Sequence, residues 1–253
     1  MLRDELVNYL DRLLDLPAFS GDVSNNGLQI EGKSEVNKVV FGVDGCQQIF
    51  DLAVRENADF IFVHHGLSWG GGLKRWVGTD ASRFRTLFCN GISLYAAHLP
   101  LDAHPILGNN AVLSNIIGLT EREKFFRYDG VDIGFAGVLP QEMTLKTVAD
   151  KLALALDCNY LLRGSEERLC RKAAVVSGGG GIDSIFEAAA KGCDLLITGE
   201  MEHIMHHAAL ETGVSVIALG HYASETTGPK ALMEHLREKF NLEVCFADLP
   251  TGL

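Results

Sequence analysis

A chain of 253 residues with 47% hydrophobic side chains has enough apolar mass for one large domain or two small ones. Its net charge of −11 argues against a general polyanion-binding surface, because phosphate contacts need clustered Lys and Arg, so a nucleic-acid partner is not expected. No apolar run reaches the roughly 18 residues of a membrane span, and MLRDELVNYL at the start lacks the apolar core of a signal peptide, so a soluble, cytoplasmic protein without a membrane partner is expected.

Leu2, Leu6, Leu10, Leu13 and Leu14 make a helical stripe over 2–14, ended by Pro17. Residues 20–35 are polar and turn-rich around the short apolar stretch Gly27-Leu28-Gln29-Ile30. A run of βα units follows. A buried strand over 36–45 ends in Gly-Val-Asp-Gly, a helix covers 47–57, and a second strand over 58–66 stops on His64-His65-Gly66. A long Gly-rich loop, 66–80, carries Trp69 and Trp76. Next come a helix over 82–91, a third strand with its exit loop over 92–102, and a helix over 109–119. The pattern then changes to a hairpin over 126–140, a helix over 143–156 with Thr144 as N-cap, and a short strand at 159–164. From 171 the early pattern returns: strand 171–181, helix 182–192, strand 193–200, helix 202–213, strand 214–220, helix 225–240 and a final strand 242–250.

The return is an internal repeat. Residues 49–66 line up with 185–201 with one gap, and 91–99 line up with 213–221 with one residue of slack. Buried strands alternating with helices give an α/β fold, read as two facing βαβ-repeat halves in a layered α/β/α architecture with mostly parallel strands. The domain expectation is a first half over 1–120, a short connecting segment over 121–170 and a second half over 171–253. The six cysteines form no C-x-x-C pair, which fits reduced, buried thiols rather than a zinc knuckle or redox motif.

Chemistry concentrates where strands end, as it does in open α/β sheets. His64 and His65 close the second strand, and neutral imidazole is the commonest protein metal ligand near neutral pH. His98 and His104 lie on the third exit, with Asp102 between them. His221 and Glu225 stand four residues apart, on one face if that turn is helical. Each has a plain structural reading as well. A loop Asp forms Asx turns or caps, and Glu225 suits the first turn of helix 225–240. The donor count favours chemistry. His64, His65, Asp102, His221 and Glu225 are too many for a single catalytic zinc, which takes three protein ligands. They suit two divalent cations sharing a carboxylate. Such a mixed set accepts Zn, Fe, Mn, Co or Ni. His98 and His104 are candidate general acid–base groups. Glu200, equivalent to His65 in the repeat, is a candidate for orienting a water or substrate. SGGGG (177–181) is a tight turn or an anion cradle. Trp69 is a packing residue or a base-stacking one.

The blocks NNGLQIEG (25–32), FVHHGLSWGG (62–71), YAAHLPLDAHPILGNN (95–110), SGGGG (177–181), LLITGEMEH (195–203) and GHYASE (220–225) resemble those of the Nif-three-like family, the GTP cyclohydrolase I type 2 homologues. The resemblance runs over nearly the whole chain, in the compact form without an inserted middle domain. It implies that His64, Asp102 and Glu225 hold one cation and His65, His221 and Glu225 the other. It also implies a toroidal homohexamer and a hydrolase acting on a small molecule, with a purine nucleotide such as GTP as the substrate suggested by the family name. A non-catalytic metal-binding scaffold or metal-handling protein is the alternative.

Overall fold

The structure is a computed structural model describing residues 1–72 and 75–253. Two residues of the Gly-rich loop, Leu73 and Lys74, lie outside the described residues. The chain forms an α/β fold with two mixed sheets, one in each of two compact units. The first unit is Met1–Leu101 with Pro229–Leu249, and the second is Asp102–Gly228 with Pro250–Leu253.

The first unit begins with α1 (Arg3–Leu13), β1 (Gly27–Ile30), β2 (Lys38–Asp44), α2 (Gln47–Arg55), β3 (Phe60–His65), α3 (Gly78–Asn90), β4 (Ser93–Ala96) and the start of α4 (Leu99–Ala103). The sheet order is β1-β4-β3-β2 with a final strand, β11 (Glu243–Phe246), beside β2. β4, β3, β2 and β11 are parallel, and only β1 is antiparallel. Val40, Ile61, Val63 and Leu94 pack against Ile49, Phe50 and Ala53 of α2 and Phe84 and Leu87 of α3. The alternate strand residues stack as an aromatic row, Phe41 on Phe62 and Phe62 on Tyr95. The Tyr95 hydroxyl donates to Asp11 of α1. Both faces are therefore covered, which is why these strands read as continuous apolar runs. β1 is a strand that composition concealed. Its four residues sit in a polar stretch and owe their conformation to pairing with β4.

The second unit contains α5 (Asn109–Ile117), β5 (Thr120–Tyr128), β6 (Val131–Thr144), α6 (Leu145–Leu156), β7 (Leu161–Arg163), β8 (Leu169–Val175), α7 (Gly181–Ala190), β9 (Leu195–Thr198), α8 (Met205–Thr212), β10 (Ser215–Ala218) and α9 (His221–Glu225). α10 (Thr227–Phe240) then carries the chain back to the first unit. The sheet order is β5-β6-β8-β9-β10-β7. β8, β9 and β10 are parallel, and β5, β6 and β7 join antiparallel. Leu145, Val148 and Leu152 of α6 and Leu113 and Ile117 of α5 cover Ala173, Val175, Leu195, Ile197 and Ile217. Thr144 caps α6 as expected, its hydroxyl accepting from Thr147 N at 3.1 Å. The hairpin is longer than its apolar centre, because β5 is mostly exposed and polar, with only Phe125 and Phe126 buried, and a hydrophobic count overlooks it.

The internal repeat is visible at the level of single hydrogen bonds. Asp59 Oδ2 accepts from the backbone N–H of Asn37 and Lys38. Asp194 Oδ2 accepts from Arg171 and Lys172 in the same way. Ser93 N donates to Asp59 O, and Ser215 N to Asp194 O. In each sheet three parallel strands follow one another, with an antiparallel strand beside the third. Among the described residues no helix is long and apolar enough to cross a membrane.

Candidate metal centre

In the first unit the carboxyl ends of the parallel strands collect histidines. β2 and β3 pair in register, with Asp44 opposite His65. The His65 Nδ1 lies 2.9 Å from Asp44 Oδ1. His64, fully buried, has Nδ1 2.9 Å from the Ala97 carbonyl oxygen. His98, two residues past β4, has Nδ1 2.9 Å from Asp22 Oδ1. An oxygen acceptor at Nδ1 fixes the neutral ring as the Nδ1–H tautomer and puts the lone pair on Nε2, as in metal-binding histidines. His64, His65 and His98 offer ligand atoms that all lie within 4.8 Å of one another.

Asp22 is the hub of this arrangement. Its side chain is fully buried and it accepts from Ser24 N, Asn26 Nδ2 and Leu99 N as well as facing His98. Burial works against its charge, but the hydrogen bonds from His98 and Asn26 outweigh that and hold its pKa below the ordinary carboxylate value. Gln29 clamps the loop after His65: its Oε1 accepts from Leu67 N and Ser68 N. A Cβ on Gly66 would collide with Gln29 Oε1 and lie 2.6 Å from Ala96 Cβ, so glycine is required there. Trp69 is anchored by its Nε1–H to Gly66 O, and its ring stands 5.2 Å from that of His98.

The second unit collects carboxylates. Asp102 and Glu225 are nearly fully buried, with an oxygen of each within 4.8 Å of the other. Asp102 Oδ1 accepts from Asn109 Nδ2 at 2.9 Å and Ser177 Oγ at 3.0 Å. His221 Nε2 is 3.2 Å from Glu225 Oε1, and its Nδ1 is 2.6 Å from Glu200 Oε1. Contact with Glu225, opposed by burial and helped by Glu200, raises the His221 pKa to about 9. In the cation-free protein the protonated ring therefore stabilises the fold, in full below its ordinary 6.5 and less as pH rises through about 9. A cation taken at Nε2 displaces that proton. The glycine run has a definite role: a Cβ on Gly178 would run into Glu225 Oε1 and lie 3.1 Å from His221 Nε2, and its φ is +60°. SGGGG is thus a turn that makes room for two site residues.

His104, also in the second unit, accepts at Nδ1 from Ile106 N and Leu107 N. It holds its own loop. Glu225 ends α9 and lies before α10 begins. Asp22 and Asp44 were not singled out as site residues from sequence. Asp44 had a signal, since a polar residue closing an apolar parallel strand is positioned like His65. Asp22 sits in a polar loop with no such mark.

Groups of His, Asp and Glu able to hold a metal ion are thus present among the described residues. The chain matches the family model Duf34/NIF3 (NGG1p interacting factor 3) over residues 1–251. The protein belongs to the NIF3 family. Its NIF3 relatives include proteins named GTP cyclohydrolase 1 type 2 homolog from Pyrococcus horikoshii, 46% identical with both chains fully covered, and from Archaeoglobus fulgidus, 47% identical over 98% of each. Among solved structures, protein ybgI, described as of unknown function, superposes with a TM-score of 0.91 at 38% identity. TTHA1606 from Thermus thermophilus does so at 0.87 and 42%. Each covers all of both chains.

Proposed function

We propose that this NIF3 protein is a metal-dependent hydrolase with a centre of two divalent cations. His64, Asp102 and Glu225 hold one cation, and His65, His221 and Glu225 hold the other. The observation that carries this reading is the pair of buried carboxylates, Asp102 and Glu225, close together in one unit. Burying two neighbouring negative charges is costly unless cations compensate them. The tautomer-fixing bonds at His64, His65 and His221 support it. Mixed imidazole and carboxylate donors suit Zn, Fe, Mn, Co or Ni.

When bound, such a pair activates a water and polarises the bond to be cleaved. The chain's own contribution is orientation. Asn109 and Ser177 fix one Asp102 oxygen, Glu200 fixes the His221 ring, and Gly178 leaves space for Glu225. His98 at Nε2 is the candidate for moving a proton, with Asp22 holding the ring. The substrate class is a small molecule, with a purine nucleotide suggested by the names of the relatives. The same family reading carries the toroidal homohexamer.

Metal analysis of protein purified without chelator tests the centre. About two equivalents per chain are expected, falling on His65→Ala or Glu225→Ala. Hydrolysis of GTP and of generic phosphoesters by the reconstituted protein, compared with Glu225→Ala, tests catalysis. Metal retention with no difference in turnover on any substrate would leave a metal-binding scaffold.

A further inference from the structure

We infer that Trp69 is a stacking platform that receives a planar heteroaromatic ring of the substrate beside His98. The inference deepens the hydrolase reading and rests on it for the presence of a small-molecule substrate. It adds the residue that recognises the ring and the class of ligand that this residue accepts.

Three observations carry it. The first is that the indole is held still. Trp69 forms an isolated bridge with Ser24. Gly70 N donates to Val23 O at 2.6 Å and Asn25 N to Ser68 O at 3.1 Å, while Asn25 Nδ2 donates to Ser68 Oγ at 2.7 Å. With Gln29 clamping Leu67 N and Ser68 N, the residues on both sides of Trp69 are tied down before any ligand arrives. Little ordering entropy is then lost on binding. The second is that the one polar atom of the side chain is already used, since Nε1–H donates to Gly66 O at 2.9 Å. What the ring presents to a ligand is its π face and its hydrocarbon edge. A phosphate or a carboxylate gains no hydrogen bond from such a surface, whereas a flat ring stacks on it.

The third observation is what surrounds the ring. Trp76, the other tryptophan, lies against Phe84 with centroids 4.7 Å apart and planes 17° apart, the contact of a ring that has found an apolar neighbour. Trp69 keeps 37% of its surface exposed. Its ring neighbours are His98 at 5.2 Å and 71° and His65 at 6.0 Å and 45°. Neither imidazole lies flat on the indole. A ring laid parallel to it sits next to the histidine whose Nε2 is the candidate for moving a proton, with Asp22 holding that histidine from behind. Stacking does not read the identity of a base, because every base has a π face. Trp69 thus selects for a ring rather than for a particular base.

The experiment uses the full chain as purified, carrying Trp76→Phe so that Trp69 is the one tryptophan left. Guanosine should quench its emission saturably, and ribose 5-phosphate at the same concentrations should not. This arm needs no change at Trp69, so it is independent of how a Trp69 variant folds. In the otherwise unmutated chain, calorimetry should show Trp69→Leu weakening guanosine binding roughly tenfold or more, the loss typical of a stacked base, and Trp69→Phe keeping most of the affinity. With GTP as substrate, Trp69→Leu should raise KM more than it lowers kcat, because stacking is made equally in the bound and transition states. Absence of saturable quenching by guanosine, equal quenching by ribose 5-phosphate, or guanosine affinity indifferent to Trp69→Leu in a folded variant overturns the inference. Metal-dependent phosphoester hydrolysis without guanosine binding would sink the platform and leave the two-cation reading standing. Guanosine binding that depends on Trp69, in a protein inert toward every substrate, would do the reverse.

Discussion

Where β3 of the first unit ends on His64-His65, the equivalent β9 of the second runs into Gly199-Glu200. The scaffolding behind the two exits is shared: Asp59 and Asp194 tie down the preceding strands through the same pair of backbone bonds. The donors at the tips are not. The first unit gathers imidazoles backed by acceptors, and the second gathers carboxylates backed by donors and a glycine turn. A repeated frame holds its strands by backbone pairing, which ignores side-chain identity beyond the last residue. Strand tips can therefore diverge chemically while the frame stays fixed.

The contrast breaks most visibly at Gly178. Gly178→Ala combines left-handed strain with a Cβ driven into Glu225, and should cost roughly 3 kcal/mol or more. Gly181 has a similar φ, +62°, but an added Cβ meets nothing within 4 Å, so Gly181→Ala should cost only about 1 kcal/mol. Urea midpoints of the two variants compare them directly, and equal losses would dismiss the steric role of Gly178.

Asp44→Asn and Glu200→Gln probe the two backing layers separately. Each should weaken metal binding by roughly ten- to a hundredfold without removing a ligand, read by competition with a chromophoric chelator. A loss confined to one of them would mean that a single unit governs affinity.

Asp59→Ala and Asp194→Ala test the shared frame. Each deletes a carboxylate holding two backbone N–H groups, worth about 2 kcal/mol, and matched losses in thermal unfolding are expected. A gap larger than about 1 kcal/mol between them would show that the repeat is one of outline only.

The smallest effect is one of reactivity. Cys89 on α3 is exposed, whereas Cys170 and Cys193 in the second unit are buried, and burial pushes both thiols up to about 11. At pH 8 only about one in a thousand of either is thiolate. Cys89 should react first with a disulfide reagent. Labelling of the other two should rise as pH climbs toward 11 or as the second unit opens. Fast labelling of Cys170 at pH 8 in the native protein would contradict the packing described.

The parallel strands, their helices and the histidines at their ends were readable from sequence, because a strand buried on both faces leaves a continuous apolar run and a polar residue after it stands out. So were the repeat and the Thr144 cap, which are local or periodic. β1 was not, since pairing with β4 rather than composition makes it a strand. β11 follows second-half elements in the chain yet pairs with β2 of the first unit, and no local pattern encodes which distant edge a strand will join. Asp22 lies 76 residues from His98, so its role too depends on tertiary structure. The sequence by itself determined the family and the α/β class. Only the folded chain decided which oxygen stands behind each imidazole and which glycine clears space for Glu225, because contacts between residues far apart in sequence arise when the sheets form and leave no periodic trace along the chain.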